Sequence, residues 1–178
     1  MAISTLNLKS FGLSDPNADK TIMWDDSASA LAITGPAGST PEFFFSAKNA
    51  ADEAIAHQTN TKVTLGTEIF DTGADWGSSK FTAPSDGKYL FCYGGTISAS
   101  LDGAYTVFYL YKNGSLVSHT NNATSQGSTE NVAVRGSMLL DLSADDYIEL
   151  YVYWYDSGAS GNKNASANCR LAGCKLSD

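Results

Sequence analysis

The stretch that decides the fold reads Phe81-Thr82-Ala83-Pro84-Ser85-Asp86-Gly87-Lys88-Tyr89-Leu90-Phe91. Pro, Ser, Asp and Gly in succession favour a turn, because each of them suits a backbone conformation that a regular strand lacks. Extended, β-prone runs lie on both sides, at residues 80–82 and 88–97. The stretch therefore predicts a strand, a turn and a second strand.

The same pattern continues along residues 42–178, where short extended runs alternate with turn residues. Asn113-Gly114 is the clearest turn, since a tight hairpin needs positive φ at both central residues. A short helix is expected at residues 47–56. An all-β sandwich or jelly roll is predicted, because no longer segment has helical periodicity. Ten strands are expected, at residues 43–48, 62–65, 68–70, 80–82, 88–97, 105–112, 116–119, 131–140, 147–154 and 169–176.

Length and charge exclude several classes of function. The 178 residues suffice for one domain with an arm, and the net charge is −8 with only two arginines, Arg135 and Arg170. Such a chain is poorly suited to nucleic acid. It contains no run near the roughly 20 apolar residues of a membrane span, so no membrane insertion is expected. The start lacks the pattern of a signal peptide, and Cys92, Cys169 and Cys174 are expected to be free thiols made in a cytoplasm.

Residues 1–41 differ from the rest and are predicted to be an extended attachment arm with a Gly/Pro linker, ending near Pro41. Trp24 stands within an acidic segment of this arm. Such a tryptophan inserts into a partner's pocket or folds back on its own chain, and the first interpretation is preferred. The candidate docking residues are Asp15, Asn17, Asp19, Trp24, Asp25 and Asp26.

Alternation in the predicted strands separates a core face from a face rich in tyrosine. Between residues 147 and 155, Ile148, Leu150, Val152 and Trp154 occupy one side and tyrosines most of the other. A tyrosine-rich face predicts a subunit contact, because large exposed aromatic patches are rare on monomers. The alternative is a second buried layer or a plain strand surface. The predicted contact residues are Tyr89, Phe91, Tyr105, Tyr109, Tyr111, Tyr147, Tyr151 and Tyr153.

No motif for catalysis, a metal or a cofactor is found. His57 and His119 are the only histidines and lie in different polar segments, which disfavours a catalytic triad or a histidine metal site. Asp25/Asp26 and Asp145/Asp146 are adjacent pairs whose side chains point apart on an extended chain, so neither is an acid/base couple. Catalytic residues, metal ligands and cofactors are therefore all predicted to be absent.

The stretch of residues 81–91 resembles the signature of the globular head of complement component 1q and its tumour-necrosis-factor-like relatives. Further blocks resemble the same family in order: Phe43-Phe44-Phe45-Ser46-Ala47, Glu68-Ile69-Phe70-Asp71, Leu110-Tyr111-Lys112-Asn113-Gly114, residues 136–150 and residues 166–176. The resemblance implies a ten-stranded antiparallel jelly roll that assembles as a compact homotrimer, with inner-sheet aromatics facing the threefold axis. It also implies a binding or display role rather than an enzymatic one.

The arm segment at residues 14–28, Ser-Asp-Pro-Asn-Ala-Asp-Lys-Thr-Ile-Met-Trp-Asp-Asp-Ser-Ala, is similar to a segment of bacteriophage tail-fibre and other virion proteins. Together the two resemblances imply a non-enzymatic virion structural protein, assembled in the host cytoplasm. Its arm would bind other virion proteins, and its head would decorate the capsid, form a head fibre, or form a fibre tip that contacts a host glycan or protein. The alternatives are a bacterial or secreted adhesin or carbohydrate-binding module of the same fold, and a glycan depolymerase.

Overall fold

A computed structural model describes residues 21–25, 30–34, 43–100, 103–120, 123–125, 130–156, 158 and 162–177. The chain divides into two compact units, residues 1–40 and residues 41–178. In the first unit, strands β1 (Thr21–Asp25) and β2 (Ala30–Thr34) form an antiparallel pair. The extended segment expected at residues 21–24 is confirmed as part of β1, whereas β2 was not anticipated.

The second unit, called the head below, is all-β in its described residues and contains no helix there that could span a membrane. All of its described strand pairs are antiparallel, as short connections between neighbouring strands allow. The strands are β3 (Phe44–Lys48), β4 (Glu53–Ile55), β5 (Thr61–Lys62), β6 (Thr67–Asp71), β7 (Trp76–Gly77), β8 (Lys80–Thr82), β9 (Gly87–Ser100), β10 (Tyr105–Lys112), β11 (Ser115–His119), β12 (Ala123–Thr124), β13 (Glu130–Leu142), β14 (Tyr147–Tyr155), β15 (Lys163–Ala165) and β16 (Arg170–Ser177).

Two antiparallel sheets form the jelly-roll sandwich that the sequence predicts. The first sheet has the order β11-β10-β14-β8-β7, with β12 also on β10 and β5 also on β14. The second has the order β4-β15-β9-β16-β3-β6, with β13 also on β9. Each of the ten expected segments contains or overlaps one of these strands, and β4, β7, β12 and β15 are additional short strands.

The expected helix at residues 47–56 is wrong. Residues 44–48 belong to β3, which pairs with β16, and residues 53–55 form β4, which pairs with β15. Ala47 and Ile55 are both buried, so each side chain fills the core from a different strand. Tertiary pairing therefore overrides the local helix propensity of the alanines.

The core lies between the sheets and is rich in aromatic rings. Phe45 of the second sheet stacks on Phe81 of the first, with ring centroids 4.6 Å apart. Trp154 of β14 is buried, and its Nε1 donates a hydrogen bond to the carbonyl oxygen of Ile55 across the sandwich at 3.0 Å. Buried Trp usually finds such a partner. These contacts join the two sheets and fix their spacing.

The stretch at residues 81–91 passes from the first sheet to the second. Three side-chain hydrogen bonds hold its turn. The Tyr89 hydroxyl donates to the Ser85 carbonyl oxygen at 2.8 Å, Asp86 Oδ1 accepts from the Ala144 backbone N–H at 2.8 Å, and Lys175 Nζ donates to Ser85 Oγ at 2.8 Å. Gly87 has φ of +150°, and an added Cβ there would meet the stem of Lys175. Glycine is therefore required at this position for both conformation and space.

Candidate assembly faces

Strands β10 and β14 together form the tyrosine face, on the side of the first sheet that points away from the core. Because successive side chains on a strand alternate, the tyrosines of both strands point the same way once β10 and β14 pair. The register sets Tyr105 opposite Tyr155 and Tyr109 opposite Tyr151. The tyrosine face consists of Tyr105, Tyr109, Tyr111, Tyr147, Tyr151, Tyr153 and Tyr155, all half-buried.

The rings of the tyrosine face pack against one another within a single chain. Tyr111 and Tyr151 have ring centroids 4.2 Å apart, and Tyr105 lies 5.3 Å from Tyr155 and 6.0 Å from Tyr153. Val107, which points the same way, is buried. The rings therefore shield part of their apolar surface before any partner is present.

One ion pair lies among these rings. Lys62 Nζ is 2.7 Å from Glu149 Oε1 and also donates to the Ser78 carbonyl oxygen at 3.0 Å. Glu149 is buried, so its charge is offset by Lys62 instead of by water. Lys80 Nζ lies over the Tyr147 ring, 4.6 Å from its centroid. The tyrosine face is thus bordered by one ion pair and one cation–π contact.

Burial changes the acidity of the phenols on this face. The pKa values of Tyr109, Tyr151 and Tyr153 are raised above 10.0, and desolvation is the largest cause for each. Neighbouring phenols and, for Tyr151, the Glu149 carboxylate add to the rise, because a second negative charge nearby opposes ionisation. These hydroxyls are neutral hydrogen-bonding groups at neutral pH.

Tyr89 and Phe91 do not belong to the outward surface that the sequence assigned to them. Both are 0% exposed, and the Phe81 ring contacts each of them, with ring centroids 5.6 and 5.8 Å apart. The large rings of β9 fill the sandwich, and the smaller Leu90 and Cys92 point outward instead. We therefore remove Tyr89 and Phe91 from the predicted subunit contact.

The outward side of the second sheet contains a second candidate assembly face, which the sequence did not predict. Register across four strands aligns Leu139 of β13, Leu90 of β9, Cys174 of β16 and Phe44 of β3. We call these four residues the apolar row. Leu139 is 52% exposed and Phe44 is 38% exposed, so the row leaves contiguous apolar surface uncovered on this side of the sheet.

A sequence signal for this face existed. In β13, Met138, Leu139 and Leu140 are consecutive apolar residues, so both sides of the strand are apolar. A strand with one wet face should alternate, and continuous apolar runs are typical of strands covered on both sides. The same reasoning applies to Leu90 beside Tyr89 and Phe91.

The predicted docking residues of the arm fall mostly outside the described part of the chain. Trp24 and Asp25 belong to strand β1. The other four, Asp15, Asn17, Asp19 and Asp26, lie outside the described residues. The docking role of all six stays a prediction.

The described side chains form no group of three or more His, Cys, Asp or Glu that could hold a metal ion. Each of the two histidines contacts the backbone of the head. His57 Nε2 accepts from the Asp156 backbone N–H at 3.2 Å and its ring packs on Trp154, while His119 Nδ1 lies 2.9 Å from the Thr120 carbonyl oxygen. No contact joins the two histidines among the described residues.

Solved structures with the same architecture confirm the predicted fold. The chain is similar to the globular domain of zebrafish complement 1qA protein (17% identity, 74% of this chain and 94% of that chain, TM-score 0.51). It is also similar to Eiger TNF from S. frugiperda (11%, 76% and 92%, TM-score 0.56) and to murine APRIL (11%, 75% and 98%, TM-score 0.54). No family model and no curated protein matches the sequence. The head therefore has the complement-1q/TNF-like jelly-roll fold. Similarity at this level of identity is evidence for the fold and not for a function.

Proposed function

We propose that this chain is a non-enzymatic structural protein of a bacteriophage virion, a homotrimer whose head is displayed and whose arm attaches it to the particle. The observation that best supports assembly of the head is the apolar row on the second sheet. The attachment role rests on the resemblance of residues 14–28 to virion proteins. The separation of residues 1–40 from residues 41–178 into two units supports a division of labour between attachment and display.

A threefold contact joins two different surfaces of neighbouring protomers, because only a twofold axis pairs a surface with itself. One surface is the apolar row. For the other we propose the free edge of the first sheet, strand β11, where Leu116 is 50% exposed and Val117 is also exposed. Exposed apolar edge strands are normally covered. Tyr109 and Tyr111 lie beside this edge on β10, which brings the tyrosine face into the contact.

Light scattering on the full chain tests the assembly. The wild type should have three times the chain mass of 18.8 kDa. Leu139→Glu and Tyr109→Glu should each shift the mass toward the monomer, because each places an unpaired charge in an apolar contact. Ile69→Glu is the matched control, since Ile69 is exposed on β6 at another edge. A monomeric wild type, or a trimer in both contact variants, contradicts the proposed contact.

Incorporation into particles tests the attachment. Antibodies against the head should label purified virions of the phage that encodes this chain, and the labelled position separates capsid decoration from a fibre tip. Trp24→Ala should reduce incorporation and leave the mass in solution unchanged. A fibre tip should also compete with the phage for adsorption to its host. Unlabelled virions would contradict the virion role, whatever the oligomeric state.

A further inference from the structure

A concavity of about 440 Å³ opens on the outward side of the second sheet, where β13, β9 and β16 lie side by side. Few side chains cover its floor, because Gly94 and Gly136 are among the lining residues. Gly94 has φ of +140°, and a Cβ there would collide with the backbone of Val134 and Arg135. The volume is in the range of small-molecule sites. Gly94 thus lets β9 and β13 approach closely, and neither Gly94 nor Gly136 places a side chain in the depression.

The only two arginines of the chain lie on either side of this depression. Register sets Arg135 of β13 and Arg170 of β16 opposite the same residue, Gly94 of β9. The two outer strands are about 10 Å apart, twice the usual spacing between strands. Arginine side chains at that separation reach one molecule held between them. We call this site the arginine pocket.

Both guanidinium groups keep free donors. Arg135 Nη1 donates to the carbonyl oxygens of Gly95 at 2.5 Å and Val134 at 2.9 Å, which fixes the side chain and leaves its other N–H groups. Arg170 is exposed, and its side chain has no hydrogen bond or ion pair among the described residues. The ion pairs of the described chain use Lys62, Lys88 and Lys112 instead.

Among the residues that the structure describes, no carboxylate lines the arginine pocket, although the chain has a net charge of −8. Paired guanidinium forks match the two oxygens of a carboxylate. Cys92, Tyr93, Ser137 and Ala172 complete the lining beside the arginines and glycines. These residues suit the carbon body of an organic anion better than a bare inorganic ion. We propose that the arginine pocket binds a carboxylate carried on a body of about monosaccharide size, such as a uronic acid unit.

The arginine pocket is separate from the proposed trimer contact. Gly94 is four residues along β9 from Leu90 of the apolar row, a distance of about 13 Å on an extended strand. Lys48 pairs with Arg170 and extends the positive charge along the same row. Burying these cations unpaired between subunits would be costly, which leaves the pocket open in the trimer.

Calorimetric titration of the full chain with sodium glucuronate tests the proposal, with glucose as the uncharged comparison. The wild type should bind glucuronate saturably and glucose not at all. Arg170→Ala should weaken binding about tenfold or more, since hydrogen bonds to a charged group are lost. Arg170→Lys should recover only part of it, because the charge returns without the fork. Lys88→Ala, the same change in charge at the other end of this sheet, should bind like the wild type.

Three results would overturn the arginine pocket: no saturable binding at millimolar glucuronate, equal binding by Arg170→Ala, or equal binding of glucose. Inorganic phosphate that displaces glucuronate and binds more tightly would also overturn the assignment to an organic carboxylate. Light scattering on the same samples should give one unchanged mass for all variants. A loss of binding with an altered mass would assign Arg170 to assembly and contradict the proposal.

Discussion

Lys112 Nζ lies 2.7 Å from Asp146 Oδ2, and this ion pair ties the end of β10 to the turn that precedes β14. Asn113 Nδ2 also donates to Asp146 Oδ1 at 2.6 Å, and the Ser143 backbone N–H donates to Oδ2 at 2.8 Å. These donors, with Lys112 the largest contributor, lower the pKa of Asp146 from 3.8 to about 2. The turn predicted at Asn113-Gly114 and the turn at Asp145/Asp146 are thus one structural unit.

Asp146→Asn should lower the free energy of unfolding by about 1–2 kcal/mol at neutral pH, the usual scale for charge-assisted hydrogen bonds near solvent. A carboxyl whose pKa is lowered by folding stabilises the native state above its unfolded pKa of 3.8. That stabilisation is lost as the pH falls through about 2. Urea unfolding at a series of pH values should therefore show the two proteins converging in acid. Asp145→Asn, the neighbouring change in charge, should have little effect, and a difference that persists in acid would contradict this explanation.

Phe81→Ala should destabilise the head by about 3–5 kcal/mol, because it empties a large site in the aromatic core. Phe81 belongs to the first sheet, is 2% exposed, and contacts rings of the second sheet, including Phe45. Phe70→Ala removes the same side chain from a position that is 48% exposed and should cost under about 1 kcal/mol. Thermal or urea unfolding of the two variants measures the contrast. Similar losses in both would show that the Phe81 stack does not organise the core.

Gly87→Ala should destabilise the head by about 2 kcal/mol or more, since the new methyl group meets strained backbone and an occupied space. Its Cβ would lie 2.5 Å from the Ser177 carbonyl oxygen. Gly77→Ala is the matched control, because nothing lies within 4 Å of a Cβ there. That variant should be neutral or slightly stabilised through its less flexible unfolded chain. Chemical denaturation of both should reveal opposite behaviour, and equal stability would contradict the crowded turn.

Cys92 should react with a thiol reagent much faster than Cys169. Burial raises the pKa of the Cys169 thiol to about 11, so its reactive thiolate is scarce at mildly alkaline pH, whereas Cys92 is exposed. Mass spectrometry after brief labelling should find the modification on Cys92, and Cys92→Ser should remove the fast phase. Unfolding in denaturant should make all three cysteines reactive. Rapid native labelling of Cys169 would show that its site opens.

Alternation along single strands could be predicted well because it depends on local geometry alone. On β14, Ile148 and Trp154 are buried and Tyr151 faces outward, as the period of two requires. The turn at residues 84–87 follows equally from residue types whose backbone preferences act locally. The short β4 and β15 were missed because few residues carry their pattern and their pairing partners are distant in sequence.

Alternation alone could not identify the inward face of a strand where both of its sides are apolar. On β9 the choice between Tyr89 and Leu90 as the inward residue depends on which side chains fill the space between the sheets. The aromatic pattern predicted that Tyr89 and Phe91 belong to the subunit contact, whereas core packing places both rings inside the sandwich. Volume in the core is shared by many strands, so no single strand contains enough information to assign its inward face.

The sequence by itself determined the all-β class, the decisive turn at residues 84–87 and the tyrosine side of β10 and β14. Only the tertiary structure decided the apolar row and the arginine pocket. Strand register places Leu139 beside Leu90, and places Arg135 and Arg170 on either side of Gly94. The paired segments are far apart in the chain. A shift of one residue in any register would turn a strand's side chains to the opposite face. Local preferences therefore choose the strands, while long-range hydrogen bonding and core packing choose which of their residues become neighbours.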